Sequence, residues 1–132
     1  MIRILMSATC LCLLLAADPA YAEDYLGSYT AYIGPEDFYN SSGARISSVC
    51  GVLQQDRTNY HRFGKRDPQD QGDPYFATPA ARAVIGRACV AAQGHQPRII
   101  DAIRAGRPIA VPVTVIGSGT TPMRVIFGEI AG

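Results

Sequence analysis

The chain contains no tryptophan, a single lysine (Lys65) and only two histidines. Beyond its first 22 residues it has no apolar run long enough to cross a bilayer. Each shortage excludes something. His61 and His95, the latter in a Gly-His-Gln loop, are too few to build a zinc site once the cysteines are otherwise engaged. A formal net charge of +1 gives no electrostatic basis for binding nucleic acid or an anionic membrane as a main task. No internal repeat or low-complexity tract is present, and no motif calls for a cofactor.

What the chain does have begins at its N-terminus. MIRILMSATCLCLLLAADPAYA carries one basic residue, Arg3, then an apolar stretch centred on Leu11 to Ala17, then Ala20-Tyr21-Ala22. Charge, short apolar core and small-x-small site are the order read by the export machinery, so residues 1–22 are expected to be a signal peptide cleaved after Ala22. The apolar stretch falls short of the roughly 20 residues that span a bilayer, so no stable membrane insertion is expected after cleavage. Removal of residues 1–22 from the 132-residue chain leaves 110, the size of one small domain, residues 23–132. Its expected address is periplasmic or secreted.

Of the four cysteines, Cys10 and Cys12 leave with the signal peptide, and Cys50 and Cys89 remain. In an oxidising compartment two lone cysteines of a small domain pair. The bridge closes a loop of about 40 residues and contributes on the order of 4 kcal/mol by restricting the unfolded chain.

Periodicity predicts the elements. Glu23–Ile33 alternates as a strand and stops at Gly34-Pro35, and Pro35 opens a single helical turn with Glu36 and Asp37 near its positive end. A helix is expected from about Ala44 to His61, with Ile46, Val49, Cys50 and Leu53 on its apolar stripe and Ser41 or Ser42 as cap. Thr78 caps a second helix that begins at Pro79 and runs to Gly94, so that Cys50 and Cys89 would bridge helix to helix. A third, shorter helix starts at Pro97, with Gly106 just past its end. The runs IAVPVTVIG and MRVIFGEI read as two strands of a hairpin. Pro112 requires the first of them to be an edge or to turn its proline nitrogen outward. The expected fold class is α+β: a small antiparallel sheet, made of the N-terminal strand and the C-terminal hairpin, covered by two or three helices.

The most unusual stretch is HRFGKRDPQDQGDPYF, residues 61–76, where Arg62, Lys65 and Arg66 run into Asp67, Asp70 and Asp73. Calcium takes several oxygens from one short loop, so these three aspartates are candidate ligands, but the alternate spacing and closing Glu of the familiar calcium loop are missing. Prolines after Asp67 and Asp73 favour turns, and the neighbouring bases offer neutralisation, so a solvated salt-bridged connection is the simpler reading. A hydrolase reading makes His61 the general base, oriented by Asp56 or Asp67, with Ser47 or Ser48 as nucleophile. Against it, no G-x-S-x-G turn is present and the serines fall at the predicted helix. Gly117-Ser118-Gly119 joins two strands and leads into no helix, which makes it a hairpin turn and not a phosphate cradle. Tyr25, Tyr29, Tyr32, Tyr39, Tyr60 and Tyr75 supply amphipathic aromatic surface suited to a protein or glycan partner.

The text from Gln54 to Phe76, with weaker likeness through Gly34-Pro35 and Asn40-Ser41-Ser42-Gly43 and on to about Arg87, resembles small exported proteins of Gram-negative bacteria that have no assigned activity. The resemblance implies a periplasmic or secreted protein and supplies no catalytic residue. The expectation is a small non-catalytic binding or interaction module, with a hydrolase centred on His61 and a calcium-stabilised module as alternatives.

Overall fold

In the computed structural model, which describes residues 22–130, the chain forms a four-stranded mixed sheet with three helices packed on one face. The expected signal peptide, with Cys10 and Cys12, lies outside the described residues except for Ala22. The strands are β1 (Asp24–Ile33), β2 (Cys89–Ala91), β3 (Ile109–Ser118) and β4 (Thr121–Phe127), and the helices are α1 (Val49–His61), α2 (Pro79–Arg87) and α3 (Pro97–Ala105). The sheet order is β1-β3-β4-β2. β1 and β4 both pair antiparallel with β3, while the short β2 runs parallel to β4.

Alternation along the strands decides the core. Tyr29, Ala31 and Ile33 of β1, Val111, Val113 and Val115 of β3, and Val125 and Phe127 of β4 all point to one face and are buried. The helices close that face with Val52 and Leu53 of α1, Ile85 of α2, and Ile99 and Ile103 of α3, joined by Phe38 and Phe76 from the connections. The α+β class and the helix-covered sheet match the sequence pattern. Pro112 sits on the central strand β3, opposite Thr30 in the register. Its carbonyl accepts from Gly128 N at 2.8 Å, so its nitrogen faces the residue just past Phe127, where β4 ends.

Two helix boundaries differ from expectation, each for a local reason. The first helix starts at Val49 and not near Ala44, because Ser48 is the cap, its hydroxyl accepting from Gly51 N at 3.2 Å. The preceding residues are extended: Tyr39 bridges Arg45, and Ile46 N donates to Phe38 O at 2.7 Å. Ser42, expected as a cap, donates instead to Asn40 Oδ1 through both N–H and hydroxyl. The second helix ends at Arg87 and does not reach Gly94. Val125 N donates to Ala88 O at 2.9 Å, and Cys89 and Ala91 then pair with Val125 and Phe127. A ladder against a buried strand outweighs the helix propensity of an alanine-rich run.

The Cys50–Cys89 disulfide is formed, with Cα atoms 5.8 Å apart, within the span such bridges require. It joins α1 to the first residue of β2, so the bridge runs from helix to strand and not from helix to helix. It fixes α1 over the β2 edge of the sheet. Replacing both residues, Cys50→Ala with Cys89→Ala, is expected to lower unfolding free energy by about 2–5 kcal/mol in urea titrations. A loss under about 0.5 kcal/mol, the scatter of ordinary surface changes, would contradict the staple's role.

Candidate functional site

Along α1 the spacing Leu53, Arg57, Tyr60 continues the apolar stripe and carries a guanidinium into the interior. Arg57 is 0% exposed. A buried cation must be paired and hydrogen-bonded, and this one is. Its Nε donates to Asp56 Oδ2 at 2.7 Å, and its Nη1 donates to Asp73 Oδ2 and to Gln71 O, both at 2.9 Å. Its Nη2 reaches Asp70 Oδ1 at 3.4 Å. The flat guanidinium lies between the rings of Tyr29 and Tyr60, 4.5 Å from each centroid, a cation–π sandwich. The Tyr29 hydroxyl is buried without a hydrogen-bond partner among the described residues, so that side chain is held through its ring, against Arg57 and edge-on to Phe76 at 6.0 Å.

The aspartate-rich segment is therefore folded onto Arg57. Asp73 Oδ1 accepts from the backbone of Tyr75 and Phe76 at 2.8 and 2.7 Å, while its Oδ2 takes both Arg57 and His61 Nε2, the latter at 2.8 Å. Asp70 Oδ1 also accepts from Tyr32 N at 2.9 Å. Gln71 exchanges two bonds with Thr30: its Oε1 accepts from Thr30 N at 3.0 Å and its N donates to Thr30 O at 3.2 Å. Thr30 and Tyr32 lie on the edge strand, so the segment covers polar backbone that an open sheet edge would present to another chain. Asp67 takes a different place, its carboxyl against Gly34, where an added Cβ would lie 2.7 Å from Oδ2.

The three bases expected to neutralise this segment do not do so. Arg62 lies over Phe63 at 5.0 Å, Arg66 over Tyr60 at 4.2 Å, and Lys65 approaches Glu36 at 4.0 Å. The residue that does the work, Arg57, is not singled out by the sequence analysis above; its signal is that it and Asp56 continue the buried stripe of α1 as charges, four and three residues after Leu53. Of the hydrolase residues, His61 is oriented by Asp73 and not by Asp56 or Asp67. Ser48 caps the opposite end of the 13-residue helix, roughly 20 Å away along its axis. Neither Ser48 nor its neighbour Ser47 is placed beside His61. Among the described residues no group of three or more His, Cys, Asp or Glu side chains is arranged to hold a metal ion. Gly117–Gly119 closes the β3–β4 hairpin, with Ser118 opposite Thr121.

A second polar relay lies beside the first. Buried Asp37 accepts from Gly34 N at 2.9 Å and from Asn59 Nδ2 at 2.8 Å, and Asn59 Oδ1 accepts from Gln55 Nε2 at 2.9 Å. Beyond Gln55 and Asn59 the surface opens into a cleft of about 380 Å³, lined also by Glu36, Tyr39, Asn40, Ser41, Phe63 and Lys65. Tyr39 and Phe63 are among the few large apolar side chains left exposed.

The electrostatics follow from crowding acids around one buried cation. Burial pushes the Asp37 carboxyl up to about 6, against the hydrogen bonds from Asn59 and Gly34. Burial likewise raises Asp56, against the pull of Arg57. Burial would also raise Asp73, but donors from His61, Arg57 and two backbone amides outweigh it and hold that carboxyl below its ordinary range. Arg57 is held above its ordinary value, because the neighbouring acids, Asp56 first, overcome its desolvation.

Comparison of the chain with protein-family models, with curated proteins and with solved structures finds no match.

Two outcomes test this arrangement. Arg57→Met leaves three carboxylates without their cation and is expected to cost about 3–5 kcal/mol, and Arg57→Lys recovers little because an ammonium cannot reproduce the fork. A loss below about 1 kcal/mol for Arg57→Met would show that the cluster does not carry the fold. In pH titrations, a carboxyl whose folded pKa lies above its unfolded value favours the fold at low pH and loses that contribution as pH rises through the folded value. For Asp37 that window runs from 3.8 to about 6. Asp73 acts oppositely, its contribution lost only as pH falls through its depressed value. Tm is therefore expected to be highest on the acid side of neutrality. Asp37→Asn should flatten the slope within that window while keeping the fold, since Asn59 and Gln55 can reverse their amides to match; an unchanged slope would contradict the assignment.

Proposed function

We propose that the chain is a small exported binding module without catalysis of its own, engaging a protein or glycan partner in the periplasm or outside the cell. The observation that carries this reading is a division of labour. The charged and titratable side chains that a hydrolase would use are consumed in holding the aspartate-rich segment, whereas the half-exposed side chains of Tyr39 and Phe63, the latter with Arg62 over its ring, border an open cleft. Exposed aromatic side chains over a preformed concavity are the usual anchors of recognition. Export is supported by the order of charge, apolar core and small residues in positions 1–22 and by the Cys50–Cys89 bridge, which requires an oxidising compartment to persist. Among the described residues no helix is long and apolar enough to cross a membrane. The resemblance to small exported proteins of Gram-negative bacteria points the same way.

The hydrolase reading retains one favourable contact, His61 to Asp73 at 2.8 Å. Ser47 and Ser48, the nucleophiles that reading needs, lie at the other end of α1. A calcium ion at Asp70 and Asp73 would compete with Arg57 for the same oxygens, so added calcium is not expected to raise Tm, as a ligand of the folded state must.

Fractionation of the native host should find the protein outside the cytosol with Glu23 as its first residue. A tagged form should retain its partner from envelope or culture fractions after His61→Ala, and lose it after Tyr39→Ala with Phe63→Ala. Cytosolic, uncleaved protein would refute export. Turnover of a substrate that His61→Ala abolishes at unchanged stability would replace the binding module with an enzyme.

A further inference from the structure

We propose that the cleft bordered by Tyr39 and Phe63 binds a neutral saccharide unit, an assignment that rests on the binding reading above and names its ligand class. Four features converge. The volume, about 380 Å³, suits one small ligand. Tyr39 and Phe63, 50% and 46% exposed, come from separate connections, one after the helical turn at Pro35–Phe38 and one after α1. The negative face of an aromatic ring is complementary to the weakly positive C–H face of a sugar ring.

The polar groups in the cleft are amides already fixed by their neighbours. Asn59 is oriented by Asp37, and Gln55 in turn by Asn59, so among the described residues the Gln55 carbonyl and its second N–H have no other partner. Asn40 Oδ1 accepts from Ser42 N, Ser42 Oγ and Ala44 N, which leaves the Asn40 NH₂ without an acceptor among the described residues. Fixed side chains that both donate and accept match hydroxyl groups, which do the same, and holding them in place beforehand lowers the entropy lost on binding.

Charge selects among ligands. The charged groups at the cleft, Glu36 and Lys65, lie 4.0 Å apart and offset each other. The site therefore favours neither a phosphate or carboxylate nor a cation. An extended peptide would gain most from a free sheet edge, and none of the residues lining the cleft belongs to a strand.

The test is an NMR titration of the ¹⁵N-labelled, disulfide-bonded exported protein with maltotriose, cellotriose and tri-N-acetylchitotriose, each to about 10 mM, which reads Kd values into the millimolar range. At least one sugar is expected to give saturable shifts confined to residues 39–41, Gln55, Asn59 and Phe63. Tyr39→Ala and Phe63→Ala should each weaken it at least tenfold at unchanged Tm, equivalent to about 1.4 kcal/mol. No saturable shift with any of the three, shifts elsewhere on the surface, or binding that survives both variants would overturn the saccharide assignment. If the sugars fail but an envelope partner is still lost on Tyr39→Ala with Phe63→Ala, the binding module stands and only its ligand class falls. If partner retention is also indifferent to those variants, both fall.

Discussion

A guanidinium with no solvent exposure cannot exist in a small domain unless its surroundings are built for it, and much of the organisation between α1 and the sheet follows from meeting that demand at Arg57. Asp56, Asp70 and Asp73 supply charge, Gln71 supplies a carbonyl, and Tyr29 and Tyr60 supply the two faces. Because Asp70, Gln71 and Asp73 belong to one segment, satisfying the cation also determines where that segment lies. It ends up along β1, bonded to Thr30 and Tyr32. A connection that composition alone would make a solvated loop thus becomes a cover for the exposed sheet edge. The Cys50–Cys89 bridge does the corresponding work at the other side, tying α1 to β2.

The division between what the sequence discloses and what it conceals follows the reach of the interactions. Strand alternation and the proline and glycine punctuation are local, so β1, the hairpin and α3 are legible, the last ending at Gly106 with φ of 70°. Ala44–Ser47 and Ala88–Ala91 have helical composition, yet bonds to Phe38 and to β4 set them extended. The aspartates of residues 67–73 stand out in the text, but their partner lies on another element, and the adjacent Arg62, Lys65 and Arg66 are decoys. His61 is visible as a candidate base, and only the fold shows its partner to be Asp73, already committed to four donors.

The proposed binding role sits where the demands of the buried cluster end. Asp37 and Asn59 are buried and transmit order outward to Gln55, at the floor of the cleft. Tyr39 and Phe63 stand at its border because the chain turns there, after Phe38 and before Gly64, whose φ of 65° allows the reversal. The proposed binding role fits a rigid interior of ion pairs carrying a shallow aromatic cleft, with geometry supplied from within and contact made at the rim.

Native-state hydrogen exchange at the Thr30 and Tyr32 amides, in the wild type and in Asp73→Asn, tests the central claim most directly. If Arg57 holds the aspartate-rich segment onto β1, weakening its bond to Asp73 should lower protection of those two amides at least about tenfold while leaving the β3–β4 ladder near its original value. Equal protection in the two proteins, or a uniform loss across the whole sheet, would mean that the segment is held by something other than the buried arginine.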